Sequence, residues 1–294
     1  METLEIIEAE EKVQNEVYKM NFAPHIGLTS PNDGMFIHHA GTDPVDQIKF
    51  IADQGFRAIE DNFLKMRPIA EQERIAKELE LYDMAMGVFV HNLDTWQEAV
   101  FVSDPRDSRD RLIREVRSTI ETAKRVNGKW ATLLSGQLNP GLERSYQKAN
   151  MIENLKSIAE IAEKSGVTLA IEAINSREFP GTFLTKVTEV YEIVKAVNSP
   201  SVKVMFDMYH VQIELGDVIR HLDQTWDEIA YVQLADNPGR SEPGTGEINF
   251  INILRHLQNK GYHGPVDMEH VNSIPGKAGE QAVLDIYKHI SDQL

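Results

Sequence analysis

The sequence predicts a single (β/α)8 barrel, and three observations carry that prediction. Short apolar runs and longer amphipathic stretches alternate eight times along the chain. The short runs are mostly unalternated, as expected for parallel strands buried on both faces. Several of them follow a Gly or Pro stop: Gln54-Gly55, Asn127-Gly128, Ser165-Gly166, Ser199-Pro200 and Gly264-Pro265. Such stops end helices. Eightfold strand–helix alternation points to a closed parallel barrel. An open doubly wound sheet is the structural alternative. No G-x-G-x-x-G follows the first strand, which weakens a dinucleotide-binding version of it.

Residues 1–20 read as an N-terminal helical extension, with Ile6, Val13, Val17 and Met20 on one face among glutamates. That segment would pack across the outside or bottom of the barrel, make a dimer contact, or form a frayed tail. Residues 21–294 read as the barrel. Its predicted strands are Phe22–Gly27, Ala58–Glu60, Ala85–Val90, Trp130–Leu134, Thr168–Glu172, Val202–Asp207, Ile229–Gln233 and Pro265–Glu269. The predicted helices are Asp46–Gln54, Glu71–Leu81, Asp107–Val126, Tyr146–Ser165, Lys186–Val197, Phe250–Lys260 and Gly279–Leu294, with Gly216–Glu228 helical in one or two pieces. Asp107–Val126 carries Ile113, Val116, Ile120 and Ala123 on one face, and Tyr146–Ser165 repeats Ile152, Leu155, Ile158 and Ala162.

A chain of 294 residues with 41% hydrophobic residues can bury the core that such a barrel needs. Lys plus Arg number 30 against 46 Asp plus Glu, a formal charge of -16. An acidic chain repels phosphate backbones and anionic lipid, so neither nucleic acid nor membrane is an expected partner. With no cysteine, disulfides and thiolate metal sites are excluded. The N-terminus lacks the basic start and apolar core of a signal peptide, and no apolar run reaches the length of a membrane span. The expectation is a cytoplasmic protein, compatible with a homo-oligomer.

Active sites of such barrels lie at the C-terminal ends of the strands. Strand five, TLAIEAIN, ends in Glu172; strand six, VKVMFDMYH, in Asp207; strand seven, IAYVQLAD, in Gln233; strand eight, PVDMEH, in Glu269. Taken singly, an acid at a strand end is most often a helix N-cap or half of a loop ion pair. Together, the three acids, joined on one rim by the Gln233 amide, would repel one another unless a divalent cation joins them. The all-oxygen donor set suits Mg2+ or Mn2+; Zn2+ or Co2+ are also compatible. His25 and His91 end strands one and three, where each lines the substrate pocket or packs in the core. His38 and His39 lie in the first long loop, as a lid or as solvated side chains. Trp96 stacks on substrate or packs in the core.

Two stretches, VKVMFDMYHVQIELGDVIRHL and IAYVQLADNPGRSEPGTGEINF, resemble the hydroxypyruvate isomerase group of the xylose isomerase-like barrels. IEAIN and GYHGPVDMEH are similar to the same pattern, so the resemblance runs from Thr168 to Glu269. It implies that Glu172, Asp207, Gln233 and Glu269 hold the metal. It also implies that Glu172 and Glu269 are the catalytic acids, with His210, Arg240 and Glu178 contacting a small carbohydrate-like substrate. Glu247 is expected to support the rim. The loop GLTSPNDGMFIHHAGTDP and the segments EDNFLKMR and FVHNLDTW depart from the family's motifs, and Tyr231 and Ser241 stand where many members carry histidine. The implied activity is a metal-dependent isomerisation of hydroxypyruvate, a 2-oxo-tetronate or a free ketose through an enediolate. A ketose 3-epimerase or a non-catalytic sugar-acid binding barrel are the alternatives. A metal phosphodiesterase of the DNA-repair kind would need several metals, more histidines and a basic face.

Overall fold

The computed structural model describes residues 17–294. Eight strands alternate with helices: β1 (Phe22–Pro24), β2 (Ala58–Ile59), β3 (Ala85–Met86), β4 (Trp130–Leu134), β5 (Thr168–Glu172), β6 (Val202–Asp207), β7 (Ile229–Leu234) and β8 (Val266–Met268). The helices are α1 (Ile37–Ala40), α2 (Pro44–Asp53), α3 (Ile69–Leu81), α4 (Pro105–Arg125), α5 (Arg144–Ser165), α6 (Val187–Val197), α7 (Met208–Glu214), α8 (Val218–Thr225), α9 (Phe250–Asn259) and α10 (Gly276–Gln293). Short 3-10 turns lie at Leu64–Met66 and Trp226–Glu228.

All named strand pairs are parallel, in the order β1-β8-β7-β6-β5-β4 for one set and β2-β3 for the other. Two parallel bridges, His25 to Glu60 and Val90 to Thr132, join the sets and close the ring. The fold is a TIM barrel, as predicted. β4, β5 and β6 keep their expected bounds, whereas β3 stops at Met86 instead of Val90. Just beyond lies Gly87, where a Cβ would fall 2.3 Å from the Tyr231 hydroxyl. The ring narrows there around Tyr231, and regular pairing gives way to the single Val90 bridge.

Local chemistry sets the helix ends. Asp43 and Asp104 accept from Val45 N and Arg106 N, each just ahead of a proline at the first helical position. Gly166 and Asn198 close α5 and α6 in the left-handed region. The amphipathic face of α4 is buried as expected at Val116, Ile120 and Ala123, with Leu112 completing it and Ile113 only half-buried. Outward-facing strand residues such as Leu169, Ile171, Val204, Phe206 and Val232 form the main core with the helices. A separate cluster of Val88, Ala170, Met205 and Tyr231, with Trp130 against it, fills the barrel's interior.

The expected N-terminal helix lies outside the described residues as far as residue 16. Residues 17–20 are bends, and Tyr18 and Met20 are buried, with the Tyr18 ring stacked on Phe56 at 4.4 Å. The long first loop is a built wall. Asp33 accepts from the backbone of Leu28, Thr29 and Ser30, while Arg67 donates to Pro31 O at 2.9 Å. The buried Glu280 of α10 accepts from the backbone N–H and Nδ1 of both His38 and His39. The two histidines therefore bind α1 to α10.

Candidate active site

Alternation along each strand decides what enters the barrel. Ala170, Met205 and Tyr231 belong to the interior cluster, so Glu172, Asp207 and Gln233, two residues further on, point inward one layer higher. The register places Asp207 beside Gln233, and Gln233 beside Asp267, two residues before Glu269. Glu172, Asp207, His210 and Glu269 each offer one atom within 4.8 Å of the others, and all four are buried. Gln233 is fully buried beside them.

Asp207 combines both readings of a strand-end acid. Its Oδ1 accepts from Tyr209 N at 2.7 Å and caps α7, a helix the sequence reading left unassigned. Its Oδ2 has no hydrogen-bond partner among the described residues, and neither has Gln233 Oε1. Buried oxygens without donors are costly. Burial and mutual repulsion with Glu269 push Asp207 up to about 7; burial, Glu269 and Asp207 together raise Glu172 well above the ordinary carboxylate range. This set of oxygens fits a hard divalent cation, which would supply the missing partner and cancel the repulsion.

His210 is fixed as a donor. Its Nδ1 accepts from Asn175 N at 3.2 Å and from Asn175 Nδ2 at 2.7 Å. The Asn175 amide cannot turn round, because its Oδ1 accepts from Glu178 N at 2.9 Å. Nε2 must then carry the ring proton, and it points between Glu172 Oε1 at 3.4 Å and Asp207 Oδ2 at 3.6 Å. Burial and the charge of Arg240 lower the His210 pKa, so the ring stays neutral.

Arg240 reaches the cluster from the loop after β7. Its Nη2 donates to Glu269 Oε2 at 2.7 Å, and its guanidinium lies 5.4 Å from the Tyr209 ring centre. Arg240 sits at φ +48, a left-handed geometry held by the loop. Asp236 organises that loop: its carboxylate accepts from the N–H groups of Asn237, Gly244, Gly246 and Ile248. Glu247 ties Asn237 to Gln212 across the same rim. Glu178 accepts from the Tyr209 hydroxyl at 2.6 Å and from Asn175.

The remaining candidates divide. His25 is buried near Glu269 and bonds His270 O at 3.0 Å through Nε2. His91 turns outward; its Nδ1 lies 2.7 Å from Thr119 Oγ1 on α4, away from the acid cluster. Trp96 packs edge-on against Phe179 at 5.7 Å, and Phe179 in turn meets the His210 ring at 5.9 Å. Sequence reasoning passed over Glu60, Asn62 and Asp267. Asn62 donates to Glu269 Oε1 at 3.3 Å, Glu60 accepts from Gln233, and Asp267 accepts from Tyr231. The signal was present for two of them: Asp267 alternates with Glu269, and Glu60 ends the predicted second strand.

A closed parallel barrel with a buried acid and amide cluster on strands five to eight defines the class. The chain belongs to the xylose isomerase-like TIM barrel family, whose sequence profile matches residues 48–290. A hydroxypyruvate isomerase of Escherichia coli is 32% identical over 164 residues, which cover 56% of this chain and 64% of that one, just under two thirds of its length. A 2-oxo-tetronate isomerase of Cupriavidus necator is 29% identical over 231 residues, 77% of this chain and 86% of the relative. Among solved structures, an AP endonuclease, family 2, from Brucella melitensis superposes with a TM-score of 0.76 at 26% identity, over 88% of this chain and 96% of that one. A D-psicose 3-epimerase superposes at 0.69 and 20% identity, over 93% of this chain and 96% of the other, a likeness of fold.

Proposed function

We propose that the protein is a divalent-metal-dependent isomerase that moves a proton between adjacent carbons of a small hydroxy-aldehyde or hydroxy-ketone. The observation that carries this reading is the buried convergence of Glu172, Asp207 and Glu269, with Gln233 paired beside Asp207 and with Asp207 Oδ2 and Gln233 Oε1 lacking donors. Similarity to a hydroxypyruvate isomerase and a 2-oxo-tetronate isomerase supports hydroxypyruvate and 2-oxo-tetronates as the first substrates to try. Free ketoses are the next class.

Glu172, Asp207, Gln233 and Glu269 would hold the cation, Mg2+ or Mn2+ by their chemistry. When bound, it would supply Lewis-acid stabilisation of a developing enolate. Glu172 and Glu269 come from β5 and the end of β8, so they flank the substrate from two sides. One removes the proton from carbon and the other returns one, with the order set by the substrate face presented. His210 donates through Nε2–H to a substrate oxygen, and Arg240 offsets charge on the enediolate. Glu178 and His25 complete the rim around the substrate. The same pair of glutamates would serve a 3-epimerase if both faces of one carbon were reached. A net charge of -16 disfavours a phosphodiester polymer as substrate.

The test is proton exchange in deuterated water. The Mn2+-loaded protein is mixed with hydroxypyruvate, 2-oxo-tetronates and free ketoses, and the carbon-bound protons are followed by NMR. Exchange that requires metal and disappears in Glu269→Gln supports the reading and names the substrate class. Tight binding of one metal without exchange on any compound would sink the catalytic claim in favour of a binding barrel.

A further inference from the structure

Beneath the acid cluster lies a second buried polar layer that the proposed reaction does not use. Glu60, at the end of β2, and Asp267, on β8, are both fully buried. Asp267 Oδ1 accepts from the Tyr231 hydroxyl at 2.7 Å, and Asp267 is the charge acting most strongly on Glu60. Glu60 Oε1 lies 3.1 Å from Gln233 Nε2 and accepts from it.

A carboxamide has one coordinating end and one donating end. Only its oxygen can bind a cation, so a glutamine ligand works in one of two orientations. Gln233 has acids around it: Asp207 and Asp267 pair with it in register on the two neighbouring strands, and Glu60 accepts from its Nε2. Its Nε2–H groups could satisfy either side. The observed orientation gives Nε2 to Glu60 and leaves Oε1 buried without a donor beside the upper cluster.

We propose that Glu60 is a positioning residue that holds the Gln233 carboxamide with its oxygen toward the cation that the upper cluster would bind. This inference rests on the cation reading above and extends it to a residue that touches neither cation nor substrate. If Glu60 loses its acceptor, the amide rotates, and Nε2–H turns up to Asp207 or Glu269. The rotated amide then competes with the cation for those acids. The other Glu60 oxygen, Oε2, is buried without a partner among the described residues, and Gly87 leaves room for the Tyr231 hydroxyl that holds Asp267.

Mn2+ affinity tests this without any turnover, read by electron paramagnetic resonance on the metal-stripped protein, with circular dichroism as a check of folding. Glu60→Leu removes the acceptor and should weaken Mn2+ binding by about tenfold to a hundredfold, the range for lost outer partners of metal ligands. Glu60→Gln excludes any charge at this position but keeps an acceptor oxygen, and should bind within about threefold of wild type. Gln233→Glu presents oxygen in both orientations, so Glu60→Leu combined with Gln233→Glu should recover the affinity lost by Glu60→Leu alone. Equal losses in Glu60→Leu and Glu60→Gln would show that Glu60 acts through its charge and overturn the orienting role. Wild-type affinity in Glu60→Leu would overturn it as well. A wild-type protein that binds no Mn2+ would instead remove the cation reading itself, and this inference with it.

Discussion

Asp207 shows how one side chain serves two structures. One oxygen caps α7 and so places His210, three residues on, against Glu172; the other has no hydrogen-bond partner among the described residues and is the one a cation would meet. Both duties need a carboxylate, whose two oxygens act independently. His210 divides its two nitrogens in the same way, and that division separates binding from chemistry. With Nδ1 occupied by Asn175, Nε2–H is a donor and not a ligand. His210→Leu should therefore leave Mn2+ affinity within about threefold while lowering kcat/KM by at least about a hundredfold, the loss of one oxyanion-type donor. Isothermal titration beside steady-state kinetics checks it, and a parallel collapse of metal binding would make His210 a ligand. At this scale the sequence was partly legible. The strand-end acids could be read because each closes an apolar run. Glu60 also ends a predicted strand, but its partner, Gln233, becomes visible only once the ring closes. His91 also ends its strand, yet the irregular pairing of β3 beyond Gly87 turns it toward Thr119.

Among the elements, β4 to β7 were legible to within one residue because long apolar runs bounded by Gly or Pro leave little choice. β2 also differs by one residue, but β3 stops four residues short, where Gly87 lies against the Tyr231 hydroxyl, a contact between distant parts of the chain. α7 escaped notice for a different reason: it has seven residues, and its cap is the residue already assigned to metal. The loop after β7 was recognisable by its motif but not by its cause. Asp236 gathers four backbone N–H groups with one fully buried carboxylate, and this sets the path that carries Arg240 to Glu269. Asp236→Asn would turn an NH2 group toward two of those donors. It should cost about 2–4 kcal/mol, from two lost bonds and unpaired buried groups. The Arg240 contact should loosen with it, so kcat/KM should fall more than the stability loss alone would explain at a temperature where the variant stays folded. A variant with unchanged denaturant midpoint and activity would mean that the loop holds its shape without Asp236.

For the molecule as a whole, the interior of the barrel is an electrostatic problem built into the fold. Glu60, Glu172, Asp207, Asp267 and Glu269 are all at least nine-tenths buried, and the charge of Arg240 reaches Glu269, Asp207 and Glu172. Burying an ion costs on the order of several kcal/mol unless a partner compensates it. The apolar cluster of Val88, Ala170, Met205 and Tyr231 below keeps water from sharing that load. The folded state should thus depend on a cation that the unfolded chain has no means to bind. Saturating the site at about a hundred times its Kd should add about 2.7 kcal/mol to stability. At about 2–4 °C per kcal/mol for a chain of this size or somewhat less, Tm should rise by about 5–10 °C with Mn2+ and fall back on chelation. The same measurement on Asp207→Asn separates this site from adventitious binding. That variant keeps the α7 cap oxygen but loses a charged ligand, so most of the metal-induced shift should vanish while the metal-free Tm holds or rises. A shift that persists in Asp207→Asn would place the stabilising cation on the acidic surface and not in the barrel.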